Sequence, residues 1–207
     1  MSNAIAVAAF LIALAATDAD AQDWRTSGED PCACTDSMPF IIGPRPPVDT
    51  EAGVLQMVRD SRSGSCRVSR LAVETLRSTT DPRATAALVD ALRSPACAIR
   101  SSAAYSLERH RGDAIASALV PLLSDPDRRV RQAGAYAWGR HPQRSALPTM
   151  IALLGDPSKH VRLAAVESLG RAGDGSVRSA IVPLLTDGEP HVREAAKEAL
   201  ARLPAAR

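Results

Sequence analysis

The residues of this 207-residue chain best equipped for chemistry are its four cysteines, and their spacing limits what they can do. Thiols form disulfides, bind zinc or act as nucleophiles. Cys32 and Cys34 are separated by one residue, which in an extended segment puts them about 7 Å apart on the same side. Cys66 and Cys97 stand at the same place in successive copies of one repeated pattern. Neighbouring helices pack about 8–10 Å apart, whereas a disulfide needs Cα atoms within about 7 Å. A direct Cys66–Cys97 bond is therefore disfavoured. The expectation is that Cys32 and Cys34 each join one of Cys66 and Cys97, as an oxidising compartment would allow. A four-thiolate zinc site built from the same residues is the alternative.

Two further columns carry polar chemistry at the same spacing. Arg109, Arg140, Arg171 and Arg202 recur near the ends of what read as helices, with His110 and His141 beside two of them. Such cations complement a helix C-terminus. Set about 10 Å apart, they would also make a basic ridge suited to an acidic partner. Glu74, Tyr105, Tyr136, Glu167 and Glu198 form the second column, and exposed tyrosine is a common interface anchor. Partner binding is accordingly expected at Tyr105, Arg109, Tyr136, Arg140, Glu167, Arg171, Glu198 and Arg202. Two histidines without a third ligand do not make a metal site. No nucleophile has a base at helical spacing, and no Gly-rich phosphate loop is present. No catalytic residue, cofactor or metal is expected.

The elements that position these residues follow from the period. Val68, Ile99, Val130, Val161 and Val192 follow one another at a single constant interval, without an insertion. Leu76, Leu107, Trp138, Leu169 and Leu200 repeat at the same interval, each eight positions after its anchor. A fixed period of roughly 20–50 residues means stacked supersecondary units. The first helix of each unit shows in the columns Met57, Leu88, Leu119, Met150, Ile181 and Val58, Val89, Val120, Ile151, Val182, which share one helical face. Pro121 and Pro183 fall inside this helix and should bend it. Ala72, Ala103, Gly134, Ala165 and Ala196 give the second helix a small-residue column that permits close approach. Asp125, Asp156 and Asp187 lie five positions before the anchor, and Arg100, Arg131, Arg162 and Arg193 one after it. An aspartate there caps the helix that follows. An arginine one repeat away can grip the same carboxylate bidentately, lacing the stack along one edge.

Residues 1–21 read as a secretory signal peptide: a 12-residue apolar run, Ile5 to Ala16, precedes Ala19-Asp20-Ala21. The run is shorter than the roughly 20 residues a membrane span needs. No stable membrane insertion is expected after cleavage. Removal of Asp18 and Asp20 with this segment takes the net charge from +2 to +4. That is far from the excess of a nucleic-acid coat, so no nucleic-acid partner is expected. Residues 22–50, with Pro31, Pro39, Pro44, Pro46 and Pro47, read as an extended arm. Residues 51–207 hold the repeats.

Paired helices with Asp-Pro, Val-Arg, Ala-Ala and Leu-Gly in the second, as in Asp156-Pro157…Val161-Arg162…Ala164-Ala165…Leu169-Gly170, resemble HEAT repeats. The short bacterial subtype found in phycobilisome bilin lyases is the most similar. Unit 1 departs, with Ser63 and Ser69 in the Asp and Arg places, and unit 2 has Ser94. The resemblance implies an all-α fold: a right-handed α-solenoid of five two-helix repeats, first helices on the convex side and second helices lining the concave side. It implies a protein-binding scaffold, not an enzyme, and the signal peptide read above would put that scaffold in the periplasm or outside the cell. The alternative is an enzyme or enzyme subunit of the bilin-lyase type.

Overall fold

The computed structural model describes residues 50–63 and 65–204, apart from the side chain of Asp113, and all of them belong to a single unit. The expected signal peptide and arm, with Cys32 and Cys34, lie outside the described residues.

Ten α-helices and no strand occur among the described residues. They form five pairs: α1 (Glu51–Asp60) with α2 (Cys66–Leu76), α3 (Pro82–Ala91) with α4 (Cys97–Leu107), α5 (Asp113–Leu119) with α6 (Arg128–Trp138), α7 (Leu147–Ala152) with α8 (Lys159–Ala172), and α9 (Arg178–Ile181) with α10 (Pro190–Arg202). Side chains cap several starts. Thr50 accepts from the Gly53 N–H, Ser65 from Val68, Asp81 from Arg83 and Asp127 from Arg129. Each satisfies a donor that the first helical turn leaves open.

The first helices of units 3 to 5 tighten into 3-10 helix at Val120–Ser124, Leu153–Gly155 and Val182–Thr186. Pro121 and Pro183 open two of these segments, which is how the expected bend is realised. Unit 4 tightens as well, with Ala152 at the corresponding position. Proline is therefore not the sole cause.

The second helices pack against one another more extensively than the first helices do, as the inner layer of a curved stack does. The anchor column lies in the core at Ile99, Val130, Val161 and Val192. Val68, at the start of the stack, is half-buried. Met57, Leu88, Leu119, Met150 and Ile181 face it from the first helices and are fully buried. The small-residue column is buried throughout, and at Gly134 it admits the first helix of the same unit. A Cβ on Gly134 would meet Leu122 Cβ of its own unit at 2.8 Å. Between units the glycines approach closely at Gly139, where a Cβ would meet Ser168 Oγ at 2.7 Å, and at Gly170, where it would meet Ala199 Cβ at 2.7 Å.

Candidate functional site

The aspartate–arginine ladder forms at the N-terminal edge of the second helices. Arg100 grips Asp125 through Nε at 2.8 Å and Nη2 at 2.9 Å. Arg131 grips Asp156 at 2.8 and 3.1 Å, and Arg162 grips Asp187 at 2.8 and 2.9 Å. Each Nη1 donates to the carbonyls at the start of its own turn, as in Arg131 to Asp125 and Pro126. The aspartates do not cap the helix itself, as the spacing had suggested. They sit two residues further out and accept from the N–H of Asp127, Ser158 and Glu189, which are the N-cap residues. Arg162 holds the Asp187 carboxyl below the usual carboxylate range. Every carboxylate of this ladder is engaged, so the edge is structural.

The column on the inner layer is differently built. Tyr105 and Tyr136, half-buried on α4 and α6, bring their ring centroids to 6.3 Å at an interplanar angle of 50°. The Tyr136 hydroxyl donates to Glu167 Oε2 at 2.6 Å, and the Arg171 guanidinium lies 6.0 Å from the Tyr136 ring centroid. Burial, and then the bond to Glu167, push the Tyr136 phenol up to about 12, so it remains a donor at physiological pH. Burial also raises Tyr105. The expected arginine column is present and exposed, but it is not a bare basic ridge. Arg140 meets Glu108 at 3.1 Å, Glu108 also meets Arg77 at 3.8 Å, and Arg202 meets Glu198 at 2.9 Å. Arg109 has no ion-pair partner among the described residues. At the other end of the column Glu74 accepts from Ser102 at 3.2 Å. The result is an aromatic centre with a rim of mixed charge.

The histidines beside the arginines play a part that spacing alone did not reveal. His110 Nε2 meets Leu76 O at 3.1 Å, and Nδ1 meets Thr85 Oγ1 at 2.8 Å. His141 Nε2 meets Leu107 O at 3.1 Å. Each imidazole reaches back one repeat to the last carbonyl of the preceding second helix, one of the acceptors a helix end leaves open. Burial lowers both pKa values, which makes the ring neutral, with Nε2 donating. A signal was available: a histidine three positions beyond Leu107 and Trp138, in two successive copies.

Cys66 and Cys97 open α2 and α4, and neither is a free thiol. Their expected partners lie outside the described residues. Among the described residues no group of three His, Cys, Asp or Glu side chains is placed to hold a metal ion, and no helix is long and apolar enough to cross a membrane.

A family model described as HEAT repeats matches residues 51–137 and 116–201. No curated protein matches. Among solved structures, the complex of CpcE and CpcF of phycocyanin lyase from Nostoc sp. PCC7120 is similar. Its TM-score is 0.68 at 24% identity, over 83% of this chain and 70% of that one. A designed armadillo repeat protein in complex with the peptide (KR)4 gives 0.58 at 16% identity, over 73% and 82%. Human deoxyhypusine hydroxylase in complex with glycerol gives 0.50 at 20% identity, over 72% and 61%. At such identities the likeness is one of fold. The repeat match covers well over half of the sequence, from α1 to α10, and the laced stack of five helix pairs is the architecture it describes: this chain belongs to the HEAT-repeat family.

Proposed function

We propose that the protein is a non-catalytic scaffold that holds a protein partner on the inner layer of second helices. The carrying observation is the Tyr105–Tyr136 pair with Arg171 beside it. Half-exposed aromatics ringed by charged groups are the composition of an interface centre and rim. Tyr105, Tyr136, Arg140, Glu167 and Arg171 form the centre, with Arg109, Glu198 and Arg202 toward the two ends. The peptide-bound state of the designed armadillo neighbour is compatible with this use of a helical stack. The bilin-lyase-like alternative draws support from the CpcE–CpcF likeness alone, and fold does not carry chemistry.

In this reading residues 1–21 are a signal for export, and the scaffold works in the periplasm or outside the cell. Cys32 and Cys34 each join one of Cys66 and Cys97, and the arm they anchor covers unit 1, where Ser63 and Ser69 leave the ladder without a rung. Terminal repeats need such a cover.

The test is photo-crosslinking from position 105 in cells, with position 55 on α1 as the control. Partners recovered from position 105 alone are identified, and their affinity for the purified chain is measured. Tyr136→Ala, or Arg140→Glu with Arg171→Glu, should weaken that affinity by at least about tenfold with the melting temperature held. Equal affinity in both variants overturns the inner-layer reading.

A further inference from the structure

Trp138 stands in a column otherwise filled by leucine, at Leu76, Leu107, Leu169 and Leu200. The histidine column breaks at the matching place. His110 and His141 reach back to Leu76 and Leu107, but the position that would reach back to Trp138 in the same way holds Ala172. Both departures fall on one cleft. It has a volume of about 440 Å³ and lies at the C-terminal edge of the second helices, the edge opposite the ladder. Trp138, Gln143, Arg144, Gly173 and Asp174 line it.

Trp138 is only 1% exposed, yet its Nε1 has no hydrogen-bond partner, and neither has Oε1 of Gln143. A donor and an acceptor bordering one cleft, both shut from water, are both unmet. Groups in that condition are few in native structures and are costly to keep. The Gln143 carboxamide is weakly held, since its Nε2 meets Ser117 Oγ at 3.5 Å, the outer limit of a hydrogen bond. Arg144 at the rim is exposed and makes no ion pair within 4 Å among the described residues, its charge reaching the Asp174 carboxyl only at longer range. The Asp174 carboxylate beside it is engaged by the Ser176 N–H at 2.9 Å.

A peptide bond supplies a carbonyl acceptor and an N–H donor side by side. We propose that this cleft receives a main-chain amide of an extended acidic peptide segment. Entry requires the weakly held Gln143 side chain to turn; the ligand carbonyl then accepts from Trp138 Nε1, its N–H donates to Gln143 Oε1, and an adjacent ligand carboxylate meets Arg144. Leucine in the same column could fill the space but could not donate. A histidine at position 172 would place an imidazole where the ligand enters. This site is separate from the Tyr105–Tyr136 centre, so either can fail without the other.

The experiment is a titration of the ¹⁵N-labelled full chain carrying Trp24→Phe, which leaves one indole N–H signal. The probe is acetyl-Ala-Glu-Ala-amide, with acetyl-Ala-Lys-Ala-amide as the charge control. The Trp138 indole signal should shift downfield and saturate with the glutamate probe, and the lysine probe should bind more weakly. Trp138→Phe keeps the ring and removes the donor, and should weaken binding about tenfold. Gln143→Ala should do the same and guards against a poorly folded Trp138→Phe variant. Tyr136→Ala should leave the probe affinity unchanged. A signal that stays in place up to millimolar probe, or parental affinity in both Trp138→Phe and Gln143→Ala, overturns the proposal.

Discussion

His110 ties two repeats together through both ring nitrogens, and that makes stability respond to pH. In the neutral ring Nε2 donates to Leu76 O while Nδ1 accepts from the Thr85 hydroxyl. Protonation would turn Nδ1 into a second donor and place a charge in a site only 2% exposed. Burial is the largest cause of the lowered pKa; the bond to Leu76 opposes it, and His141 nearby adds to it. His141 shifts the same way, mainly by burial, with Arg111 and Arg140 adding and Glu108 opposing. A histidine whose folded pKa lies below its ordinary 6.5 binds protons more readily when unfolded. The stabilisation is complete above about pH 6.5 and declines as the pH falls toward and through the folded value. Urea unfolding between pH 7.5 and 5 should show a falling midpoint, and His110→Gln should flatten the curve. A parental midpoint that does not fall across this range would count against it. Asp187 titrates in a separate window, because Arg162 holds it below its ordinary 3.8.

At the scale of the helix, what the sequence made legible and what it hid have different causes. The ladder could be read because an Arg and an Asp recur three times at one fixed separation, and a regular stack turns constant spacing into constant contact. The α-to-3-10 change in unit 4 could not be read, since Ala152 carries no proline-like local signal. The unmet atoms of Trp138 and Gln143 were equally invisible: the absence of a partner is a property of the folded neighbourhood. The small-residue column was read in the right place, and at Gly134 the helix it admits is the first helix of its own unit, through Leu122. The contact that sets the spacing of two repeats is Gly170 against Ala199, with the Ala199 Cα 2.9 Å from where a Cβ would stand. Neither atom belongs to a flexible side-chain end, so α8 and α10 must move apart to admit a methyl group. Gly170→Ala should cost about 1–3 kcal/mol, whereas Gly155→Ala, which meets nothing within 4 Å, should be neutral within about 0.5 kcal/mol. Adding Ala199→Gly to Gly170→Ala should recover part of the loss in a double-mutant cycle. Additive losses would show that the two positions do not set the spacing together.

For the molecule as a whole, the stack has unlike ends. Interior repeats each give an arginine to the next unit's aspartate, while unit 1 offers Ser69, whose hydroxyl donates only to Ser63 O of its own turn at 2.9 Å. The cleft of about 510 Å³ beside it is lined by Cys66, Ser61, Ser63, Ser69 and Ile99. A stack whose stability is a sum of neighbour terms is weakest where such a term is missing. Cys66 and Cys97 open the second helices of units 1 and 2, and neither is free. A covalent arm anchored there would supply what the missing rung does not. Non-reducing peptide mapping of the full chain should therefore find Cys32 and Cys34 each joined to Cys66 or Cys97. Reduction should lower stability by roughly 2–4 kcal/mol per bond. Local opening should appear first in α1 and α2, as faster amide exchange there than in α6 and α8. A Cys66–Cys97 bond, or zinc released in proportion to chain on unfolding, would remove the staple. Reduction that speeds exchange evenly across all five repeats would show that unit 1 does not depend on it.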